Sequence, residues 1–283
     1  MFPAIEGTTE HTVTVAGRRV RYLEAGEGPP LILQHGWPQS SWAWRKVIGP
    51  LAADHRVICP DLPGFGGSDP LSGEKERLAA WLLEVMDALD VERAKLGAHD
   101  WGGFVGFLAC LRAPERFSSL VALGTTHPWP PGGGGVPDPL AAVRIWYQFV
   151  LASPVAGRLL RRESVPRGLI ARAGGGVWND AEIAHYARAL SDPRTADATV
   201  AIYRTFLTRE LVPMIRGRYS RQRLTVPTQL IVGAKDPVIT ESAMAGWEAH
   251  AADMRSELVP GAAHWLPEEC PELVVERLQA AAG

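Results

Sequence analysis

The 283-residue chain has few of the features that mark secreted or membrane-spanning proteins. Its three cysteines, Cys59, Cys110 and Cys270, are odd in number and widely spaced, so they fit free thiols better than a disulfide framework. No apolar run approaches the roughly 20 residues that a membrane helix needs, and the N-terminus lacks the basic and apolar regions of a secretory signal. We therefore expect a soluble, cytoplasmic protein without membrane insertion.

Charge of one sign is also scarce. The net charge is −2 at pH 7, and the balance of 46% hydrophobic and 21% charged residues is that of an ordered globular protein. The densest basic cluster consists of Arg158, Arg161, Arg162, Arg167 and Arg172. Because acidic residues interrupt the neighbouring segments, we interpret this cluster as a solvated helix face and expect no nucleic-acid partner.

Signals for bound metals and phosphates are weak. The eight histidines are scattered and form no group with metal-ligand spacing. The stretch "PGFGGS" (63–68) is rich in glycine, but the Gly-Lys-Ser/Thr of a phosphate-binding loop does not follow it. We expect neither a metal nor a cofactor.

Strand and helix patterns alternate along most of the chain. "HTVTVAGRRVRYLEAG" (11–26) alternates apolar and polar residues around Ala16-Gly17 and predicts a β-hairpin. Further strands, most of them apolar runs that end in turns, are predicted at 30–36, 55–68 with its turn, 93–100, 117–126, 228–236 and 255–261. Helical patterns separate them, so the fold class is α/β, with a mostly parallel eight-stranded sheet flanked by helices.

The alternation stops in the middle of the chain. From about residue 128 to residue 222 the sequence is rich in Pro, Gly and Arg, contains "PPGGGGVP" (130–137), and shows only helical periodicity. We predict a helical cap at 128–222, inserted into a core domain formed by 1–127 and 223–283. A helix near 241–252 is predicted in the second part of the core.

The stretch "GAHDWGG" (97–103) joins a predicted strand to a predicted helix. A sharp strand-turn-helix strains the residue at its apex and requires small neighbours, which Ala98, Gly102 and Gly103 supply. The apex, Asp100, would then project at the carboxyl edge of the sheet, beside the positive end of the following helix. Alternatively, Asp100 is a simple helix N-cap, a position that Asp favours.

Two further residues favour a catalytic role for Asp100. Asp236 ends a buried strand in "GAKDPVI" (233–239), and His264 follows the next strand in "GAAHWLPEECPE" (261–272). The chain order nucleophile, acid, histidine is that of hydrolases with a strand-turn-helix nucleophile. A carboxylate is anionic at neutral pH and suits attack on a saturated carbon, which would give an alkyl ester on Asp100. His264, oriented by Asp236, would activate water to hydrolyse it, with the backbone N–H groups of Trp37 and Trp101 binding the oxyanion.

With these residues in place, the chain resembles the α/β-hydrolase superfamily and, within it, the epoxide hydrolases. The resemblance covers nearly the whole length, through "HGWPQSSWAWRKV", "RVICPDLPGFGGSD", "GAHDWGG", "KDPVI" and "HWLPEECPEL". It implies two cap tyrosines that protonate the epoxide oxygen, and the segments "WYQF" and "IYRTF" place them at Tyr147 and Tyr203, with Tyr186 as a third candidate. The substrate-binding residues implied are His35, Pro38 and Trp146.

Two alternatives stay open at this point. Haloalkane dehalogenases share "HDWGG" and would use the same Asp100, His264 and Asp236, and Trp129, Trp146 and Trp178 leave a halide site open. A hydrolase-fold binding protein without turnover is the other alternative. As partners we expect a small-molecule epoxide and water, and a homodimer is left open.

Overall fold

The computed structural model describes residues 4–129 and 145–281, and within them an eight-stranded sheet has the order β1-β2-β4-β3-β5-β6-β7-β8. The strands are β1 (Thr9–Val15), β2 (Arg18–Ala25), β3 (Pro30–Gln34), β4 (Arg56–Pro60), β5 (Ala94–His99), β6 (Phe117–Leu123), β7 (Thr228–Gly233) and β8 (Met254–Val259). Strand β2 pairs antiparallel with β1 and β4, and the other neighbouring pairs are parallel. The predicted mostly parallel sheet is confirmed.

The first two strands form the predicted hairpin. Its turn consists of Ala16 and Gly17, whose φ angles of 47° and 76° are both positive, as the two-residue turns of hairpins require. The strands in the middle of the sheet are buried on both faces, which explains their continuous apolar runs: Leu31, Leu33 and Val57 have no exposed surface.

Helices cover both faces of the sheet. The helices of the core are α1 (Ile48–Leu51), α2 (Lys75–Ala88), α3 (Trp101–Arg112), α10 (Leu266–Glu269) and α11 (Pro271–Ala280). Leu78 of α2 and Phe107 of α3 belong to one hydrophobic cluster, whereas Ile48 of α1 and Leu278 of α11 belong to a second. Each cluster seals one face of the sheet, as expected for a parallel sheet with crossover helices.

A run of helices lies between β6 and β7. These inserted helices are α4 (Trp146–Ala152), α5 (Ala156–Leu160), α6 (Ser164–Gly174), α7 (Asp180–Ser191), α8 (Pro193–Thr205) and α9 (Leu211–Ile215), with a π-helical turn at Phe206–Glu210 between α8 and α9. Their position agrees with the predicted helical insertion. The stretch "PPGGGGVP" (130–137) lies outside the described residues.

The structure differs from the prediction near residues 241–252. Only a single 3₁₀ turn forms there, Glu241–Met244, because Gly246 adopts a φ of 100° that a right-handed helix cannot accommodate. The three cysteines are free, as predicted. Within residues 4–129 and 145–281, no helix is long and apolar enough to cross a membrane.

Candidate active site

Asp100 occupies a strained turn between β5 and α3. Its φ of 52° and ψ of −124° lie in a region that non-glycine residues rarely adopt. The turn is crowded: a Cβ atom added to Gly36 would lie 2.3 Å from Asp100 Oδ1, and one added to Gly102 would lie 2.3 Å from the carbonyl oxygen of His35. Glycine at these two positions therefore lets the strand-turn-helix form around the Asp100 side chain.

The Asp100 carboxylate does not cap α3. Its side chain makes no capping hydrogen bond to the helix. Instead, Oδ1 accepts a hydrogen bond of 2.7 Å from the backbone N–H of Trp37, in the turn after β3. The other oxygen, Oδ2, lies 3.5 Å from His264 Nε2. The N-cap alternative thus fails, and the carboxylate faces the loops at the edge of the sheet.

The structure brings Asp100, His264 and Asp236 together. His264 Nδ1 and Asp236 Oδ2 are 2.7 Å apart. The second oxygen of Asp236, Oδ1, accepts hydrogen bonds from the backbone N–H groups of Val238 (2.8 Å) and Ile239 (2.9 Å). These contacts fix the Asp236 carboxylate, which in turn orients the His264 ring so that Nε2 faces Asp100.

Both carboxylates act on the charge of His264. Burial favours the neutral ring. The negative charges of Asp236 and Asp100, together with the hydrogen bonds between these carboxylates and the ring, outweigh burial and raise the pKa of His264 to about 10. Burial likewise opposes ionisation of Asp236, and His264 with the two backbone N–H groups outweighs it, so the pKa of Asp236 is lowered. At neutral pH His264 is therefore an imidazolium between two carboxylates.

The geometry around Asp100 fits an oxyanion hole. The N–H of Trp37 already binds Oδ1, the oxygen that would carry negative charge if the carboxylate were esterified through Oδ2 and then attacked by water. Trp101 is the first residue of α3, where backbone N–H groups have no partner within the helix. The two predicted donors thus belong to the two turns that flank the carboxylate.

Tyr147 and Tyr203 meet above this turn. Their rings pack against Trp37, with centroid distances of 6.5 Å for Tyr147 and 5.3 Å for Tyr203, and lie 6.0 Å from each other. Burial and then the charge of Asp100 raise the pKa of Tyr147 to about 12. Burial, Tyr147 and Asp100 raise the pKa of Tyr203 well above its usual value. Both phenols therefore stay protonated and lie within reach of the electrostatic field of Asp100.

The third tyrosine is engaged elsewhere. The Tyr186 hydroxyl donates to Glu268 Oε1 at 3.0 Å and accepts a hydrogen bond of 3.1 Å from Gln39 Nε2. Arg45 also binds Glu268, at 2.6 Å, and forms an ion pair with Glu182 of α7. Tyr186 belongs to this buried polar network between the core and the inserted helices, so its proton is committed to Glu268.

The structure places two of the predicted substrate-binding residues, His35 and Pro38, in the turn after β3 and the third, Trp146, at the start of α4. His35 is fully buried, with Nδ1 donating to the carbonyl of Gly36 (2.9 Å) and Nε2 accepting from the N–H of Leu62 (2.9 Å), so it holds the turn after β3. Pro38 is buried in that turn, after a cis Trp37-Pro38 bond. Trp146 is 60% exposed on α4.

Three residues that the sequence did not single out support the site. His99 Nε2 donates to the carbonyl of His264 at 2.9 Å, and burial and His264 lower the pKa of His99 to about 4, which keeps it neutral. Thr199 of α8 accepts a 3.1 Å hydrogen bond from the indole of Trp37. Lys75 is buried behind Trp101. Only His99, beside Asp100 in the motif, had any signal in the sequence.

Comparison with known proteins agrees with this architecture. The family model of the alpha/beta hydrolase fold matches residues 29–271, and the chain belongs to that family. It is 29% identical over 289 residues to a soluble epoxide hydrolase from Corynebacterium sp. (strain C12), with 95% of each chain covered. It is also 29% identical over 262 residues to haloalkane dehalogenase 2 from Mycobacterium tuberculosis, with 90% of this chain and 88% of that one covered.

The fold also matches solved structures. The structure of epoxide hydrolase CorEH without ligand superimposes with a TM-score of 0.85 at 27% identity and covers 97% of this chain and 98% of that chain. The chain is therefore an α/β hydrolase with epoxide hydrolases and haloalkane dehalogenases among its relatives.

Proposed function

We propose that the protein is a cofactor-independent epoxide hydrolase that converts an epoxide to a vicinal diol through an ester on Asp100. The observation that carries this proposal is the pair of phenols, Tyr147 and Tyr203, that pack around Trp37 and interact with the charge of Asp100. An opening epoxide produces a basic alkoxide, which needs a proton donor, whereas a departing halide is a weak base and needs none.

The first step is attack by Asp100. Oδ2 forms a bond to a ring carbon, the ring C–O bond breaks, and the alkoxide takes a proton from a tyrosine. The N–H of Trp37 holds Oδ1 at 2.7 Å, so the carboxylate is oriented before substrate arrives. The products of this step are an alkyl ester on Asp100 and a tyrosinate.

Charge balance links this step to the next one. Esterification removes the charge of Asp100, one of the two carboxylates that raise the pKa of His264. The imidazolium proton can then restore the tyrosinate to a phenol, which leaves His264 as a neutral base. His264 takes a proton from water as the water attacks Cγ of the ester and the oxyanion forms at Oδ1. When the oxyanion collapses, the departing alkoxide oxygen takes that proton from His264 and the diol is released. The carboxylic acid left at Asp100 then returns its proton to His264, which regenerates the carboxylate and the imidazolium.

The alternative is a haloalkane dehalogenase with the same three residues. The full-length similarity to haloalkane dehalogenase 2 favours it, and identity does not separate the two activities because both relatives are 29% identical to this chain. Of the indoles that left a halide site open, Trp129 donates its N–H to the carbonyl of Tyr219 at 3.0 Å, and Trp146 is 60% exposed on α4. Trp178 is buried against Tyr186 and Trp265, with ring centroids 4.9 Å and 4.7 Å away. The two phenols that interact with the charge of Asp100 favour proton donation to an oxygen.

Replacing the phenols separates the two activities. Wild type, Tyr147→Phe, Tyr203→Phe and the double variant are assayed with styrene oxide and with a bromoalkane. We expect diol formation in wild type, a loss of about tenfold to a hundredfold for each single variant, and a greater loss for the double variant. Halide release by wild type without diol formation, or diol formation that survives loss of both phenols, would reject the proposal.

A further inference from the structure

Lys75 is a buried lysine close to the active site. It is the first residue of α2 and has no exposed surface. A lysine is rarely buried unless partners compensate for the lost hydration of its charge. The partners of Lys75 therefore indicate what the side chain holds in place.

Most of these partners belong to the end of α8 and to the turn after it. Nζ donates hydrogen bonds to the carbonyl oxygens of Gly73 (3.1 Å) and Ile202, and to Thr205 Oγ1 (3.4 Å). It forms an ion pair with Glu210 Oε2 at 3.0 Å. The backbone N–H of Lys75 donates to the other oxygen of Glu210, Oε1, at 2.7 Å. One core residue thus binds the inserted helices through both its side chain and its backbone.

The position of these partners matters because Ile202 directly precedes Tyr203. The carbonyl of Ile202 accepts hydrogen bonds from the backbone N–H of Phe206 and from Thr205 Oγ1 (3.2 Å), at the point where the π-helical turn Phe206–Glu210 begins. The Lys75 ammonium adds a charged donor to this carbonyl and so ties the backbone that carries the Tyr203 phenol to the core.

The same ammonium contacts the aromatic residues beside the nucleophile. Nζ lies 4.6 Å from the ring centroid of Trp101 and 5.3 Å from that of Phe206. Trp101 follows Asp100 and packs against Tyr203 with 5.6 Å between ring centroids. Lys75 therefore contacts both the turn that carries Asp100 and the helix that carries Tyr203.

The loop before Lys75 also touches α8 through its backbone. A Cβ atom added to Gly73 would lie 2.4 Å from the carbonyl carbon of Ala201 and 2.6 Å from the backbone nitrogen of Ile202. The close contact of Gly73 with the backbone of α8 therefore sets the distance between the core and the end of that helix. Lys75 and Glu210 supply the polar contacts there.

We propose that Lys75 and Glu210 are positioning residues that hold the Tyr203 phenol over Asp100 for proton donation to the opening epoxide. This inference rests on the proposed function. The pair acts through Tyr203 and touches no substrate, so its loss affects the step in which Tyr203 takes part and spares the hydrolysis of the ester.

A double-mutant cycle tests this coupling. Lys75→Met is introduced into wild type, Tyr147→Phe and Tyr203→Phe, and the rate of ester formation is measured in a single turnover with styrene oxide. We expect a loss of about tenfold in wild type and in Tyr147→Phe, and less than about twofold in Tyr203→Phe, because residues that act as a unit are not additive. Ester hydrolysis stays unchanged, and Lys95→Met, the same change at the start of β5, the end opposite Asp100, has no effect.

The inference would be overturned if Lys75→Met slowed ester formation equally in all three backgrounds, or slowed ester hydrolysis as much as ester formation. Lys75 would then contribute only to the overall stability of the fold. Glu210→Gln is carried through the same cycle, and its result decides the matter if Lys75→Met does not fold. If wild type opens no epoxide, the proposed function fails instead.

A measurement without substrate distinguishes failure of the positioning inference from failure of the proposed function. The chain has five tyrosines, so ¹⁹F NMR of protein labelled with fluorotyrosine gives few resonances, which Tyr→Phe variants assign. Lys75→Met and Glu210→Gln should shift or broaden the resonance of Tyr203 and leave that of Tyr186 unchanged. An unchanged Tyr203 resonance would contradict the positioning role whatever the enzyme's substrate.

Discussion

Asp100 stands where an aspartate commonly caps a helix, yet its carboxylate is held by Trp37 and His264. The order of Asp100, Asp236 and His264 along the chain favoured a catalytic role for Asp100 over a capping role. The sequence could not predict which carboxylate oxygen is free to react. In the proposed mechanism the hydrogen bond from the Trp37 N–H to Oδ1 makes Oδ2 the attacking atom and Oδ1 the oxygen of the later oxyanion.

At this scale we expect His264→Gln to trap the ester. Without a base, water attacks the ester slowly, while Asp100 can still attack the epoxide. Intact-protein mass spectrometry should show a mass increase equal to the whole substrate, and peptide mapping should place it on Asp100. Asp100→Asn in the His264→Gln background is the matched control and should stay unmodified. Steady diol turnover by His264→Gln would contradict the role of His264.

At the scale of elements, local sequence patterns predicted the positions of the strands better than they predicted which face of a helix is buried. The hairpin follows from Ala16-Gly17, and the parallel strands follow from continuous apolar runs. In α4, however, Trp146 and Phe149 are exposed while Gln148 is buried, so hydrophobicity alone selects the wrong face. The resemblance to epoxide hydrolases implied that Trp146 binds substrate. Trp146 is 60% exposed, whereas its neighbour Tyr147 packs against Trp37, because neighbours on a helix point about 100° apart.

The turn after β3 gives a prediction for the strand-turn-helix element. In Gly36→Ala the new methyl group would lie 2.3 Å from Asp100 Oδ1, so either the carboxylate or the turn must move. We expect the free energy of unfolding to fall by about 1–3 kcal/mol, measured by urea denaturation, and ester formation to slow.

Gly168→Ala provides the control for that variant. Gly168 lies within α6, and an added Cβ would have no atom within 4 Å. Alanine favours a helix over glycine, so we expect unchanged or higher stability, by up to about 1 kcal/mol, and unchanged activity. Equal destabilisation by the two variants would contradict the account of crowding at Gly36.

At the scale of the whole molecule, buried polar contacts join the inserted helices to the core. Trp37 binds Thr199, Arg45 binds Glu182, Tyr186 binds Glu268, and Lys75 binds Glu210. The partners in each pair lie more than 80 residues apart in the chain. No local pattern predicts such pairs, because they depend on how the inserted helices dock, so sequence reasoning missed Lys75 and Thr199.

Global stability should depend on pH through His264. The pKa of His264 in the folded protein, about 10, lies above its ordinary value of 6.5. The stabilising contribution is therefore fully present below pH 6.5 and is lost as the pH rises through about 10. We expect the difference in unfolding free energy between wild type and His264→Gln to shrink between these pH values in urea denaturation. A constant difference would contradict the ion-pair assignment.

The most direct test of the central claim follows the oxygen atoms. Excess enzyme reacts once with an epoxide in ¹⁸O-labelled water, and the diol is analysed by mass spectrometry. If Asp100 attacks the ring, the diol of this first turnover carries unlabelled oxygen from the carboxylate, and the label appears in Asp100 of the recovered protein. Labelled oxygen in the first diol, with an unlabelled Asp100, would mean that water attacks the epoxide directly and that no ester forms.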